Sequence, residues 1–124
     1  MERDTIKIHQ LKLNQIWFDY IKQGKKIYEG RLYNDKSKTY KIGDQIEFLR
    51  RKSNDIPREI PYETIIKTIT NIFYFSSFED ALKNLPLQQV LPNIDTIQEG
   101  CNIYYQWHTK EQEQKYGIVM IQLM

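Results

Sequence analysis

Hydrophobic and polar residues alternate along several stretches of the chain, and this pattern predicts β-strands. In the N-terminal part, Ile6, Ile8, Leu11 and Leu13 alternate with polar side chains, as expected for a strand with one buried face. Similar patterns rich in β-branched and aromatic residues predict further strands at residues 25–32, 45–51, 62–75 and 116–124.

Two of the predicted strands depart from simple alternation. Within residues 62–75 the pattern is imperfect around Ile65, Lys67, Ile69 and Asn71, which predicts a bend or a β-bulge. Residues 116–124 form a nearly continuous apolar run. Such a run is typical of a strand that is buried on both faces, so we expect it in the middle of a sheet.

Hydrophobic residues at helical spacing predict the remaining elements. Residues 14–24 form an amphipathic stretch, with Asn14 as a candidate N-cap and Gly24 as a candidate C-cap. Short helices are predicted at residues 77–85 and 95–109, and a turn or helix at residues 87–91 lies between Pro86 and Pro92. A loop is predicted at residues 51–59 and a charged turn at residues 111–115.

The resulting order is approximately β-α-β-β-β-α-α-β, which predicts an α+β fold. A mixed sheet of about five to six short strands, with helices at its margins, is covered most economically as a small β-barrel. The chain has 124 residues without repeats or linker-like segments, so we expect residues 1–124 to form one domain.

Composition excludes several kinds of site and partner. Cys101 is the only cysteine, so no intramolecular disulfide and no cysteine-based zinc site can form. His9 and His108 match no metal-ligand spacing, and we expect neither a metal nor a cofactor.

The sequence has no apolar run of transmembrane length and no apolar leader core, which predicts an intracellular protein, cytoplasmic or nuclear, with no membrane partner. The net charge of +2 is too small to indicate nucleic-acid binding by itself.

The segment GKKIYEGRL resembles the Gly-x-Lys-x-x-Glu-x-Arg signature of ASCH domains. The matching residues are Gly24, Lys26, Glu29 and Arg31. The preceding helix, the later Gly43-Asp44 pair and the Tyr-rich C-terminal region are also similar to that family. The resemblance therefore covers nearly the whole chain.

This resemblance implies a PUA-like β-barrel with a cleft beside the first helix. It also implies binding of RNA or single-stranded nucleic acid, with a role in RNA metabolism or transcription regulation. Some members resemble amidohydrolases that deacylate N4-acetylcytidine, and others have been proposed as ribonucleases. Lys26 matches the lysine of the amidohydrolase set, but Glu29 stands where that set has a threonine, so the expected hydroxyl nucleophile is missing.

The chemistry of the signature residues suits an unpaired nucleotide. Lys26 and Arg31 are suited to phosphate or base oxygens, and Glu29 can accept hydrogen bonds from the amino groups of a base. Arg50 and Arg51 offer a phosphate-contacting edge at the end of a predicted strand. The candidate stacking side chains on this interpretation are Tyr104, Tyr105, Trp107 and Tyr116.

Three alternatives remain open from the residues alone. Glu29 and Arg31 are close enough on one strand face to form a purely structural ion pair. Lys26 and Glu29, joined by Glu99, are also a legitimate acid/base set for a metal-independent hydrolase of a nucleoside-like molecule or of RNA. The aromatic C-terminal region is a candidate docking surface for a protein partner.

Overall fold

The computed structural model describes residues 5–51 and 63–124, so most of the loop predicted at residues 51–59 lies outside the described residues. The strands are β1 (Ile8–Leu13), β2 (Tyr28–Leu32), β3 (Gln45–Arg50), β4 (Thr64–Phe75) and β5 (Ile118–Leu123). The helices are α1 (Gln15–Lys22), α2 (Phe78–Asn84), α3 (Leu87–Val90), α4 (Ile97–Tyr104) and α5 (Lys110–Tyr116), and Ser37–Thr39 forms a 3₁₀ turn. No helix in these two ranges is long and apolar enough to cross a membrane.

The five strands form one curled, mixed sheet in the order β1-β3-β4-β5-β2. β1 and β3 are parallel, and the other neighbouring pairs are antiparallel. The sheet curls into a half-barrel, which confirms the predicted α+β, barrel-like fold. β1 and β2 are the two edge strands, so a seam without a backbone ladder lies between them.

β4 joins the two halves of this sheet. Residues 64–68 of β4 pair with β3, and residues 69–75 pair with β5. A register shift lies between Ile69 and Asn71, where the strand changes its partner. The predicted bulge is therefore confirmed, and it bends a strand of 12 residues so that it can serve both halves.

β5 lies between β4 and β2, as its continuous apolar sequence predicted. Val119 and Ile121 face a cluster inside the curled sheet, where α1 contributes Phe18. Ile118 and Met120 face the opposite cluster, which packs against α2, α3 and α4. Both faces of β5 are thus buried, and alternation gives way to an unbroken apolar run.

The prediction of a charged turn at residues 111–115 is wrong, because these residues lie in α5. The helix starts with a capping box in which Thr109 and Gln112 exchange side-chain-to-backbone hydrogen bonds. The Glu113 side chain is only 7% exposed and is not part of a solvated face. Capping, the buried Glu113 and the packing of Tyr116 at its last position stabilise a helix whose other residues are polar.

Candidate functional site at the seam of the sheet

A cavity of about 360 Å³ lies at the seam between the two edge strands. β1 contributes Lys12 and Leu13 to its lining, and β2 contributes residues 29–31. The start of α1 and the end of α4 close it from the two sides. The Arg31 guanidinium crosses the seam, because its Nη2 lies 3.4 Å from the carbonyl oxygen of Lys12. The gap in the backbone ladder is therefore spanned by a charged side chain.

The turn after α1 places Lys26 in the wall of this cavity. Gly24 adopts a φ of 77°, and the backbone amides of residues 25 and 26 both donate to the carbonyl of Tyr20. The Lys26 side chain is then 3% exposed, and its Nζ donates to the carbonyls of Tyr28, at 2.7 Å, and of Val90. Burial lowers the pKa of Lys26, and the nearby Glu29 carboxylate opposes this effect.

Glu29 lies between two cations. Its Oε2 accepts hydrogen bonds from Nε and Nη2 of Arg31 at 3.1 and 2.9 Å, and its Oε1 lies 3.6 Å from Nζ of Lys26. The ion pair that the sequence allowed is thus formed. The ion pair does not lie in packed structure alone, because Glu29 and Arg31 both line the cavity.

Tyr104 lines the cavity and carries a buried polar atom. Its side chain is buried and stacks on Phe78 with ring centroids 4.3 Å apart. Among the described residues, its hydroxyl is the one buried side-chain polar atom that has no hydrogen-bond partner. A Cβ at Gly30 would lie 2.8 Å from this hydroxyl, so only glycine allows the strand to approach so closely. Burial raises the pKa of Tyr104 well above its ordinary value, and the phenol stays protonated as a donor.

Two tryptophans and a histidine also line the cavity. Trp107 is 47% exposed, and the ring of Trp17 has Nζ of Lys26 at 5.8 Å from its centroid. His108 lines the same cavity and stacks on Phe78. Burial lowers the pKa of His108, and the positive charge of Arg31 lowers it further.

Six of the candidate residues from the sequence line this one cavity, namely Lys26, Glu29, Arg31, Arg51, Tyr104 and Trp107. Arg50 is not among its lining residues. Neither is Glu99, which is exposed in the first turn of α4. The candidate stacking residues Tyr105 and Tyr116 do not line the cavity either. Both pack against the hydrophobic cluster that the sheet forms with α2, α3 and α4.

Sequence reasoning missed Lys12, Asn14 and His108 as lining residues. Lys12 alternates with buried leucines, which indicates only that it faces away from the core. Asn14 was predicted as the N-cap of α1; it occupies that position, but its side chain makes no capping hydrogen bond. His108 follows α4 in a segment with no local pattern that would indicate a cavity.

The arrangement offers hydrogen-bond donors, one carboxylate and aromatic faces. Within residues 5–51 and 63–124 no group of three or more histidine, cysteine, aspartate or glutamate side chains is placed to hold a metal ion. The formal charges of Lys12, Lys26, Arg31 and Arg51 exceed that of Glu29. The cavity is therefore suited to a planar polar ring that carries or adjoins negative charge.

The chain is similar to known proteins over nearly its whole length. The family model described as "ASCH domain" matches residues 11–124. A crystal structure titled hypothetical protein PH0355 is 32% identical and superimposes with a TM-score of 0.79, covering 95% of this chain and 97% of that one. The solution structure of protein PF0455 from Pyrococcus furiosus is 30% identical, with a TM-score of 0.70 and 94% of each chain covered. No curated protein matches this chain.

Proposed function

Because this chain belongs to the ASCH domain family, a family generally associated with nucleic-acid binding, we propose that it binds RNA or another single-stranded nucleic acid. One unpaired base enters the cavity at the seam. The observation that carries this proposal is the buried hydroxyl of Tyr104, which lacks a partner in the part of the chain that the structure describes, beside a cavity that also presents a carboxylate and an exposed tryptophan. A buried polar group without a partner costs about 1–3 kcal/mol, and a bound base would remove that cost.

Each lining residue has a role on this proposal. Glu29 accepts a hydrogen bond from an amino group of the base through Oε1, which lies 3.6 Å from Nζ of Lys26. The Tyr104 hydroxyl donates to a ring nitrogen or carbonyl oxygen of the base. Trp107 stacks on the base, and Arg51 and Lys12 contact phosphate at the rim. Lys26 holds the wall in place, since its donors already point to Tyr28 and Val90.

The stacking contact provides a test that spares the fold. Trp107→Ala removes an aromatic ring that is 47% exposed, and we expect the affinity for a short single-stranded RNA to fall by about tenfold or more, since stacking contributes about 1–3 kcal/mol per base. Tyr74→Ala is the matched control, because Tyr74 is 59% exposed on β4 and does not line the cavity. The measurement is a fluorescence-anisotropy titration at low and moderate salt.

The two variants separate the possible outcomes. A salt-dependent affinity that is weakened in Trp107→Ala and retained in Tyr74→Ala supports the proposal. Equal affinities would remove Trp107 from the site. Absence of binding by the wild-type protein would overturn the proposed function altogether.

A second candidate function is hydrolysis of a modified nucleoside. It is favoured by the lowered pKa of Lys26 beside a buried carboxylate, because perturbed acid/base pairs in cavities are typical of active sites. We rank it second because Nζ of Lys26 donates to the backbone carbonyls of Tyr28 and Val90. Release of acetate from N4-acetylcytidine, without affinity for RNA strands, would reverse this order.

A further inference from the structure

Beside the cavity at the seam lies a second cavity of about 340 Å³ whose lining is strongly positive. Four of its lining side chains are cations, namely Lys12, Arg31, Lys36 and Arg51, and no carboxylate is among its described lining residues. We propose that this second cavity binds the backbone phosphate next to the base in the first cavity. This inference rests on the proposed function and specifies the ligand: a phosphorylated strand and not a free nucleoside.

The parallel pairing of β1 and β3 builds this cationic surface. The register places Gln10 opposite Glu47 and Lys12 opposite Leu49. On β1, Gln10 and Lys12 are exposed, whereas the residues on either side of Lys12 are buried. Because successive side chains alternate between the two faces of a strand, both project outward. Arg51 continues from β3, and its backbone amide donates to the carbonyl of Leu13 at 2.7 Å.

Lys36 approaches the same surface from the 3₁₀ turn. Its Nζ donates to the backbone carbonyl of Gln10 at 3.0 Å. This bond uses one of its three N–H donors, so others remain for an anion. Arg31 arrives from β2 on the far side of the seam. Four separate parts of the chain therefore bring cations to one place.

The positive charge of this surface is poorly neutralised. The carboxylate of Glu47 accepts a hydrogen bond from Gln10 at 2.8 Å, and that of Glu29 is engaged by Arg31. In the described part of the chain, Lys12 and Arg51 form no ion pair. Clustered cations repel one another, and a bound phosphate would relieve that repulsion.

The two cavities share Lys12, Arg31 and Arg51. A ligand that occupies both cavities must carry a negatively charged group close to a planar ring. A nucleotide in a strand has this construction, because every base is joined through its sugar to a phosphate. An acidic peptide would satisfy the cations but would leave the aromatic wall of the first cavity without a stacking partner.

Lys36 gives the decisive test because it lines only the second cavity. We expect Lys36→Gln to weaken the binding of a short single-stranded RNA by about fivefold. It should also reduce the slope of log affinity against log salt by about 0.7, the value for one phosphate contact on a single strand. Lys38→Gln is the matched control: Lys38 lies two residues further along the same 3₁₀ turn, and its Nζ is 5.4 Å from the centroid of the Tyr33 ring. It lines neither cavity, so its affinity and slope should match the wild type.

Three outcomes are distinguishable. A loss of affinity and slope in Lys36→Gln alone supports the phosphate site. Equal behaviour of Lys36→Gln and Lys38→Gln, with wild-type protein that binds RNA, would overturn the phosphate site and leave the proposed function standing. If the wild-type protein binds no RNA at either salt concentration, the proposed function fails and this inference fails with it.

Discussion

Glu29 and Glu113 are buried to nearly the same extent, 5% and 7% exposed, but their surroundings differ in kind. Glu113 accepts a hydrogen bond from the backbone amide of Phe78 at 2.8 Å and one from the Tyr105 hydroxyl, which lies 2.8 and 3.0 Å from its two carboxylate oxygens. Both donors are neutral groups in packed structure. Glu29 is instead engaged by Arg31 and Lys26, and it lines a cavity.

Two adjacent tyrosines show the same difference. Burial, strengthened by the hydrogen bond to Glu113, raises the pKa of Tyr105 to about 12, and its hydroxyl is fully engaged. The hydroxyl of Tyr104 lies next to Gly30 and has no hydrogen-bond partner among the described residues. Glu113 therefore has the Tyr105 hydroxyl as a hydrogen-bond donor. In the cavity region, the Tyr104 hydroxyl and the Glu29 carboxylate are not hydrogen-bonded to each other.

This contrast separates a structural polar cluster from a binding site. A buried network whose donors and acceptors are all used fixes the packing of the elements that it joins. Glu113 does this for α5 and α2, since Phe78 is the first residue of α2 and a negative charge at a helix N-terminus is favourable. An incompletely used network beside a cavity has a cost that a ligand can remove, as we propose for Tyr104.

The largest expected effect tests the structural side of the comparison. Glu113→Ala leaves the amide of Phe78 and the hydroxyl of Tyr105 without their acceptor, and we expect the free energy of unfolding to fall by about 3 kcal/mol. For a domain of this size the melting temperature should then fall by roughly 10 °C. Urea denaturation followed by circular dichroism measures the change.

Glu111→Ala is the control for this experiment. Glu111 lies on the same helix, is exposed and forms no ion pair or hydrogen bond among the described residues, so its loss should change stability by less than about 0.5 kcal/mol. RNA affinity should be unchanged in both variants below their melting temperatures. Equal stabilities of the two variants would show that the Glu113 network adds nothing to the fold.

Much of the fold follows from local pattern. The alternation in β1, the apolar run of β5 and the irregularity near Ile69 each have a direct physical reading in the sheet, because burial on one or both faces determines which residues a strand can carry. The polar helix α5 was missed for the opposite reason. Its stability depends on a capping box and on the contact of Glu113 with α2, and no hydrophobic periodicity records either of them.

The candidate site was only partly predictable. Glu29 and Arg31 lie two residues apart on one strand, so their pairing is local and could be inferred. Lys12 and His108 join them only because the sheet curls and brings its two edge strands to one seam, which is a property of the complete topology. The unused hydroxyl of Tyr104 depends on the fit between α4 and Gly30, to which the sequence gives no clue.

An intermediate effect is expected from removing each tyrosine hydroxyl in turn. Tyr105→Phe should lower the free energy of unfolding by about 1.5 kcal/mol, because it removes hydrogen bonds to a carboxylate. Tyr104→Phe removes a hydroxyl that has no partner within residues 5–51 and 63–124, so stability should stay constant or rise by up to about 1 kcal/mol. The same substitution should weaken RNA binding by about tenfold, whereas Tyr105→Phe should leave it unaltered.

Opposite signs of stability and affinity in Tyr104→Phe would be difficult to explain by misfolding. If Tyr104→Phe instead loses stability as Tyr105→Phe does, its hydroxyl has a partner in solution and the contrast between the two regions disappears. Denaturation curves and anisotropy titrations on the same protein samples give both quantities.

The smallest expected effect is a pH dependence that belongs to the cavity region alone. The pKa of His108 is lowered in the fold from its ordinary value of 6.5, by burial and then by Arg31, so its neutral form is favoured in the free protein. Its contribution to stability is therefore present above pH 6.5 and is lost as the pH falls below that value. A phosphate bound near Arg31 would favour the protonated form, and RNA affinity should rise by about two- to fivefold as the pH falls through the same range.

His108→Gln should abolish this rise. His9→Gln should retain it, because His9 is bonded to Asp44 at 2.8 Å and does not line the cavity. An affinity that rises equally in both variants would assign the pH dependence to the RNA or to the cations of the seam, and His108 would then be only a packing partner of Phe78.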